Sequence, residues 1–284
     1  MAVNVFQVQY RNEFIYSFED RQTILRACCI QEAMMKGLQA VFLVSDSGQA
    51  SAVTRGMNGL IPARTDNNNQ YTVQLQEWHD LVRKTDFNVF TQQGDQKRLM
   101  QLTTMAVINR KIDDLIIAEL DTATNDTGSA DIATIDMLIY AKTILGNNFV
   151  DIGDVENLFC LISPAFEGYL MQTPEFASAD YADVKPLTGP PRRFRRWMGL
   201  NFMVHPRLTG SVGAGSTGAS EQCYMFHRNA IGCAVATGGI ETPVGYDEEQ
   251  AYSWARVSVT MGAKLLQNNG IVMMKHNGSA YVAQ

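Results

Sequence analysis

The chain of 284 residues is 46% hydrophobic, which is enough to bury a sizeable core in one large domain or two closely packed ones. Its formal charge of -6 argues against a protein built mainly to bind nucleic acid, and its 18% share of charged residues suits either a surface partly covered by neighbours or a monomer of low charge. No apolar run is long enough to cross a membrane and no signal peptide opens the chain, while five cysteines without a CxxC pair indicate a reducing compartment.

The first regular element predicted along the chain is a helix. Loosely helical spacing of apolar residues covers residues 13–36, and Gly37 is placed to end the helix because glycine adopts the left-handed cap conformation at little cost. The adjacent Cys28 and Cys29 fall within this pattern, so we expect them to lie half in the core and half at the surface.

A projecting loop is predicted next. Residues 40–44 read as a short strand, and residues 49–55 and 70–76 as two extended segments, the second with the alternation of a strand that has one wet face. The Gly- and Asn-rich residues 56–69 between them cannot form a core of their own. We therefore expect this stretch to project and to lie on something outside itself.

A single long helix is the strongest prediction in the sequence. Residues 94–120 contain neither proline nor an internal glycine, and these 27 residues would form a rod of roughly 40 Å. The apolar residues recur every three or four positions, which predicts one buried face: Leu99, Leu102, Met105, Ala106, Ile112, Leu115, Ile116 and Leu120. Such a length favours a structural building block over a typical enzyme.

The remainder of the chain predicts shorter elements. Gly146 should end a second helix over residues 130–145, and Pro164 should open a helix over residues 165–172. The predicted strands and other regular elements cover residues 157–163, 197–205, 223–236, 251–264 and 270–274, while residues 174–191 and 210–220 read as irregular.

Two local patterns resemble chemical sites but lack essential parts. The glycine-rich loop from Gly210 to Gly218 has no Lys followed by Ser or Thr at its end, so a flexible loop is favoured over a phosphate-binding loop. Cys223 and His227 are four residues apart, but zinc needs four converging ligands, and a metal-free reading is favoured. No catalytic motif is evident, and we expect neither a cofactor nor an enzymatic role.

One basic run leaves two interpretations open. Arg192, Arg193, Arg195 and Arg196 alternate with aromatic residues, as in binders of phosphate or single strands, but the run enters an apolar strand. Contact with nucleic acid and pairing with carboxylates of the same or a neighbouring chain both remain possible, and we favour the second.

A second ion pair is predicted within the long helix. Arg110 can reach Asp113 and Asp114 at three and four residues, which predicts a solvated or intersubunit ion pair.

The ordered set of motifs resembles the major capsid proteins of tailed bacteriophages with the Hong Kong 97-type fold. The resemblance runs from about Phe14 to Lys275, and each motif is weak alone. The matching segments, in the family's order, are residues 45–76, 109–113 (Asn-Arg-Lys-Ile-Asp), 161–166 (Leu-Ile-Ser-Pro-Ala-Phe), 169–170, 178–181, 196–204, 251–254, 261–263 and 271–274.

The resemblance implies an α+β subunit with defined segments. The expected division is an N-terminal arm and helix (1–44), an extended loop (45–76), a peripheral domain with the long spine helix (77–129), an axial domain (130–248) and a return to the peripheral domain (249–284).

The resemblance also implies function and partners. Hexamers and pentamers would close an icosahedral shell around double-stranded DNA in the virion, after synthesis in the host bacterial cytoplasm. Expected partners are the portal, a decoration protein and, because no charged helical segment precedes the arm, a separate scaffolding protein. The alternatives are an encapsulin-like nanocompartment shell and a soluble enzyme that uses the loop from Gly210 to Gly218.

Some family members cross-link their subunits through a lysine on the extended loop, and here the sequence differs. Residues 45–76 contain no lysine, and a guanidinium that stays protonated is a poor nucleophile, so we expect non-covalent contacts only. The residues expected at subunit contacts are Arg55, Leu60, Ile61 and Arg64 on the loop, and Arg98, Arg110 and Asp114 on the spine helix.

Overall fold

The computed structural model describes residues 23–35, 37–91, 95–177, 195–210 and 221–277, which form an α+β fold. The helices are α1 (Asp86–Thr91), α2 (Gln96–Leu120), α3 (Ile135–Asn147), α4 (Pro164–Leu170) and α5 (Pro174–Ala177). The strands are β1 (Ile30–Met35), β2 (Gln39–Asp46), β3 (Asn67–Gln74), β4 (Gln76–Thr85), β5 (Leu158–Ile162), β6 (Arg195–Trp197), β7 (Leu200–Val204), β8 (Glu221–His227), β9 (Ile231–Glu241), β10 (Val244–Asp247), β11 (Tyr252–Leu265) and β12 (Ile271–His276).

The strands form two five-stranded sheets and one two-stranded ribbon. The first sheet has the order β1-β9-β11-β10, with β4 also paired to the long strand β11, and α2 packs against β11. The second sheet has the order β12-β8-β5-β7-β6, and α3 lies against β12. The ribbon consists of β2 and β3. A single hydrophobic cluster extends through both sheets and α2.

Strand pairing divides the chain differently from the predicted segments. Strands β9 and β10 fall within predicted segment 130–248 but belong to the sheet against which α2 packs, whereas β12 falls within 249–284 but belongs to the other sheet. The chain crosses between the sheets after β4, after β8 and again after β11, so the members of one sheet are not continuous in sequence.

The N-terminal helix prediction is wrong for the described part of residues 13–36, and residues 13–22 lie outside the described residues. Leu25–Cys28 form a 3₁₀ turn, and β1 follows it in parallel pairing with β9. Pairing within a sheet outweighs a loose helical spacing, which is a weak local signal. Cys28 and Cys29 are both fully buried, not half exposed.

The long helix is confirmed as α2, but its buried side is not one straight face. Asp95 caps its first turn by accepting a hydrogen bond from the backbone N–H of Arg98 at 3.1 Å. The buried stripe has a spacing of four, and its members are Met100, Thr104, Ile108, Ile112, Ile116 and Leu120. Four residues advance the stripe by about 40° on a helix of 3.6 residues per turn, so it winds around α2. Leu102 and Met105, predicted to be buried, are therefore exposed.

The other predicted helices begin with side-chain caps. Thr134 caps α3, which starts five residues later than predicted, and Ser163 caps α4 with Pro164 in its first turn. The predicted strand over residues 197–205 is instead a hairpin of β6 and β7, because Met198 and Gly199 both have positive φ and turn the chain. Within the described residues, no helix combines the length and apolarity needed to span a membrane.

Candidate functional site

A two-stranded arm ends in a segment that no other part of the described chain covers. We define the arm as β2, β3 and the connecting residues 47–66, and we call residues 47–66 the tip. Strands β2 and β3 pair from Gln39 with Gln74 to Asp46 with Asn67. Eight residues at about 3.4 Å each make the ribbon roughly 27 Å long, and the tip continues beyond it.

The base of the arm is fixed to the first sheet. Phe42 packs on β9, where a Cβ at Gly232 would lie 3.0 Å from the phenyl ring. A Cβ at Gly262 of β11 would lie 2.6 Å from the Gln74 carbonyl oxygen, so only glycine permits this approach. Close packing at the base sets the direction in which the arm leaves the sheet.

The tip has no regular secondary structure, and every residue in it is exposed. Its outermost turn is held by two backbone hydrogen bonds, from Gly56 N–H to the Leu60 carbonyl at 3.0 Å and from Gly59 N–H to the Gly56 carbonyl at 2.9 Å. Leu60 is 74% exposed and Ile61 is 65% exposed. A chain that buries so much apolar surface elsewhere leaves these two side chains in water, which is typical of a contact site.

The four contact residues predicted on the loop all lie in the exposed tip. Arg55 and Arg64 flank the apolar turn, and Arg64 forms an exposed ion pair with Asp66 at 2.6 Å. Of the two segments predicted as extended, residues 49–55 contain no strand, whereas residues 70–74 belong to β3 and Gln76 begins β4. The apolar turn and its two basic flanks therefore belong to one exposed segment.

The contact residues predicted on the spine helix lie on a different element. Arg98 is exposed in the first turn of α2, and Arg110 lies farther along the helix. Burial raises the pKa of Asp80 on β4 above its ordinary value, and the positive charge of Arg110 acts in the opposite direction. Asp114 is bound within its own chain to Arg207, at 2.7 Å.

Acidic residues of α2 and its C-terminus bind alternate residues of segment 205–209. The Asp113 carboxylate lies 3.6 Å from His205 Nε2, and Asp114 binds Arg207. Asp121, which follows the last residue of α2, accepts a hydrogen bond from the Thr209 hydroxyl at 2.6 Å. Sequence reasoning missed this connection, because it joins residues about 90 positions apart.

Asp113 also holds the start of the described chain. Its two carboxylate oxygens accept hydrogen bonds from the Thr23 hydroxyl at 2.5 Å and from the backbone N–H groups of Ile24 and Leu25 at 3.2 and 3.3 Å. The carboxylate is buried, and it caps the 3₁₀ turn that leads into β1. The ion pair predicted from sequence connected Arg110 with Asp113 and Asp114, whereas the partners described here for both carboxylates lie in other parts of the chain.

The basic run is only partly within the described residues. Arg192 and Arg193 lie outside them, and Arg195 is the first residue of β6. The Arg196 Nε donates a hydrogen bond to the Asn201 side-chain oxygen at 3.0 Å, across the hairpin of β6 and β7. Arg196 thus has an uncharged partner in its own chain.

The patterns that suggested chemistry from sequence do not form a site in the described part of the chain. Of the loop from Gly210 to Gly218, only Gly210 is described. Burial raises the pKa of the Cys223 thiol to about 12, and His227 Nε2 lies 3.5 Å from Asp154. Among the described residues, no three or more His, Cys, Asp or Glu side chains are grouped as metal ligands would be.

These features define a class of protein that assembles through its surface. A long helix and two sheets form a stable body, and an arm fixed at its base carries an apolar tip that its own chain does not cover. The sequence model of one family, described as phage capsid protein, matches residues 2–277. The chain therefore belongs to the phage capsid protein family.

Comparison with solved structures gives the same fold. The capsid structure of cyanophage P-SCSP1u is similar over 97% of this chain and 94% of that one, with a TM-score of 0.74 and 12% identity. Mycobacterium phage Che8 gives a TM-score of 0.73 at 15% identity, covering 95% and 97% of the two chains. The capsid of Ralstonia phage GP4 gives 0.71 at 11% identity, covering 99% and 98%. A search of curated protein sequences gave no match.

The family and the fold confirm two predictions. The chain has the Hong Kong 97-type α+β fold, and it is a major capsid protein that forms a phage shell and belongs to the virion. A match over nearly the whole chain favours the phage shell over the nanocompartment shell and the soluble enzyme that the sequence left as alternatives.

Proposed function

We propose that this subunit holds its shell together by non-covalent contacts in which the arm of each copy lies on a neighbouring copy. The observation that carries the proposal is the exposed apolar turn with Leu60 and Ile61 at the end of an arm whose base is firmly packed. Each of these side chains stabilises a contact by about 1.5–3 kcal/mol when fully buried. A contact of modest strength, repeated in every subunit of a closed lattice, stabilises the whole shell.

Charged residues around the tip give this contact its orientation. We propose that Arg55 and Arg64 pair with carboxylates of the neighbour. Arg64 would bind such a carboxylate either in place of Asp66 or together with it. Arg98 and Arg110 are proposed contacts on α2. Asp114 is the least favoured of the proposed set, because Arg207 already neutralises its charge within the chain.

The larger assembly follows from the same proposal. The unit built on the first sheet, α2 and the arm would form the peripheral domain, and the unit built on the second sheet would form the axial domain of hexamers and pentamers. The icosahedral shell would enclose double-stranded DNA. A separate scaffolding protein, a portal and a decoration protein are the proposed partners, with synthesis in the bacterial cytoplasm. The role is structural, with no catalytic step assigned to any residue.

The tip contact is tested by adding charge to the apolar turn. The double variant Leu60→Asp with Ile61→Asp should fold normally, because both side chains are exposed, but should lose most closed shells under assembly conditions. Negative-stain microscopy and sedimentation would measure the shell yield, and circular dichroism the fold.

The control variant Ser51→Asp adds charge to the same exposed tip without removing an apolar side chain. Shell yield should then remain close to that of the original protein. Normal shell yield from the double variant would rule out the apolar tip as a necessary contact.

A further inference from the structure

The outermost turn of the tip contains the dipeptide Asn58-Gly59 in an exposed and open geometry. Gly59 has a φ of +73°, and no atom lies within 4 Å of the position that a Cβ would occupy. Both residues are exposed, and the two hydrogen bonds of the turn join only residues of the tip itself, among Gly56, Gly59 and Leu60. Opening this turn therefore leaves the ribbon and both sheets intact.

We propose that Asn58 is a site of spontaneous deamidation in the unassembled subunit. The backbone nitrogen of Gly59 attacks the side-chain carbonyl carbon of Asn58 and forms a five-membered imide. The side-chain nitrogen of Asn58 leaves as ammonia, taking up the proton that Gly59 N–H loses. Solvent water then opens the imide at one of its two carbonyl carbons, which yields aspartate or isoaspartate at position 58.

Glycine at position 59 is what makes this attack accessible. Any other residue would place a Cβ beside the attacking nitrogen, whereas glycine leaves it unhindered and lets the backbone rotate into the reactive arrangement. The Gly59 N–H does donate to the Gly56 carbonyl at 2.9 Å, so the turn must open first. Local opening of an exposed tip costs far less free energy than opening of a packed element.

The chain contains the same dipeptide at Asn269-Gly270, where Asn269 is exposed but its glycine is packed, which provides an internal comparison. Gly270 is buried at the junction of a 3₁₀ turn and β12, and its N–H donates to the Gln267 carbonyl. A Cβ at Gly270 would lie 2.8 Å from the Ala230 Cβ. Attack on Asn269 would require this end of the second sheet to separate, so Asn269 should keep its amide.

Deamidation changes the surface that we propose to contact the neighbour. The tip contains two arginines and one aspartate, so one new carboxylate brings its net charge from +1 to zero. Isoaspartate also adds a methylene group to the backbone in the middle of the turn. The reaction in the free subunit is independent of the proposed function, whereas its suppression within a shell rests on it.

The test follows the masses of two peptides from one digest. Purified, unassembled full-length chain is incubated at mildly alkaline pH, and the peptides with Asn58 and Asn269 are quantified by mass spectrometry with fragmentation that identifies isoaspartate. We expect Asn58 to react about tenfold faster than Asn269 or more, because only the packed site is protected against opening. The variant Asn58→Gln should remain unmodified at that position, and urea-unfolded chain should show similar rates at both sites. A folded chain in which Asn58 reacts no faster than Asn269 would overturn the proposal.

Assembled shells separate this proposal from the tip contact. Rapid reaction in free subunits and slow reaction in shells supports both. Equally rapid reaction in both samples supports deamidation at Asn58 and contradicts coverage of the tip by a neighbour. Slow reaction in free subunits contradicts the deamidation site alone, since the assembly test with Leu60 and Ile61 does not depend on it.

Discussion

Phe149 combines a left-handed backbone conformation, which is unusual for a bulky residue, with an exposed aromatic side chain. It follows the end of α3 with a φ of +62°, a left-handed conformation in which its Cβ is strained, and its side chain is 76% exposed. The Phe149 N–H donates to the Gly146 carbonyl and the Val150 N–H to the Leu145 carbonyl, both at 3.1 Å. This is the capping arrangement in which glycine is the usual residue at the position of Phe149.

Replacing this residue with glycine should therefore stabilise the subunit relative to alanine. Phe149→Gly and Phe149→Ala both remove the ring, which is mostly exposed, but only glycine relieves the backbone strain. We expect the glycine variant to exceed the alanine variant by about 1 kcal/mol in free energy of unfolding. Urea titration of unassembled subunits would measure the difference. If alanine proved equal or better, the left-handed conformation would carry no cost in this chain.

At the scale of elements, the connection between α2 and segment 205–209 combines a buried carboxylate that has several partners with an exposed ion pair. Asp113 is buried and serves the backbone of the 3₁₀ turn as well as His205, whereas Asp114 and Arg207 are about one-third exposed. A buried group that satisfies several donors is costly to remove, because those donors are left without a partner. An exposed pair contributes little after solvent screening.

The two neighbouring carboxylates should therefore respond very differently to truncation. Asp113→Ala leaves the buried N–H group of Leu25 and the part-buried N–H group of Ile24 without their acceptor and should lower the free energy of unfolding by about 1–3 kcal/mol. Asp114→Ala, the matched control one residue along the same helix, should cost about 0–1 kcal/mol. The midpoints of urea unfolding would compare them, and equal losses would show that Asp113 does not hold the turn.

Elements with strong local signals were predictable, and elements set by distant pairing were not. The length of α2 and its start near Asp95 follow from local composition and capping. Its winding stripe was missed because the predicted face counted apolar residues at both three and four spacings, whereas burial follows spacing of four and includes Thr104. Strand β1 was mistaken for helix because its partner, β9, is about 200 residues away.

At the scale of the whole molecule, the arm was predictable because its sequence has too few apolar residues to form a core of its own. A Gly- and Asn-rich stretch without core residues has to project, and the structure places Leu60 and Ile61 at its exposed turn. The binding of Asp113, Asp114 and Asp121 to segment 205–209 could not be predicted, since no local pattern relates helix carboxylates to a distant segment. The contacts within the body depend on the tertiary fold, whereas an exposed apolar turn in a stretch without core residues can be recognised from sequence.

The composition of the arm makes a final prediction about the mature shell. From residue 39 to residue 74 the only cations are Arg55 and Arg64, and a guanidinium keeps its proton and does not attack an amide carbonyl. The five cysteines in the described part of the chain are all buried, and burial raises the pKa of the Cys28 thiol to about 12, which disfavours the reactive thiolate. Mature shells heated in detergent, with and without reductant, should therefore migrate as a single band that matches the unassembled subunit. A ladder of multimers that survives both treatments would show a covalent bond between subunits and contradict the proposed non-covalent shell, while a ladder seen only without reductant would implicate cysteines that become exposed in the assembled state.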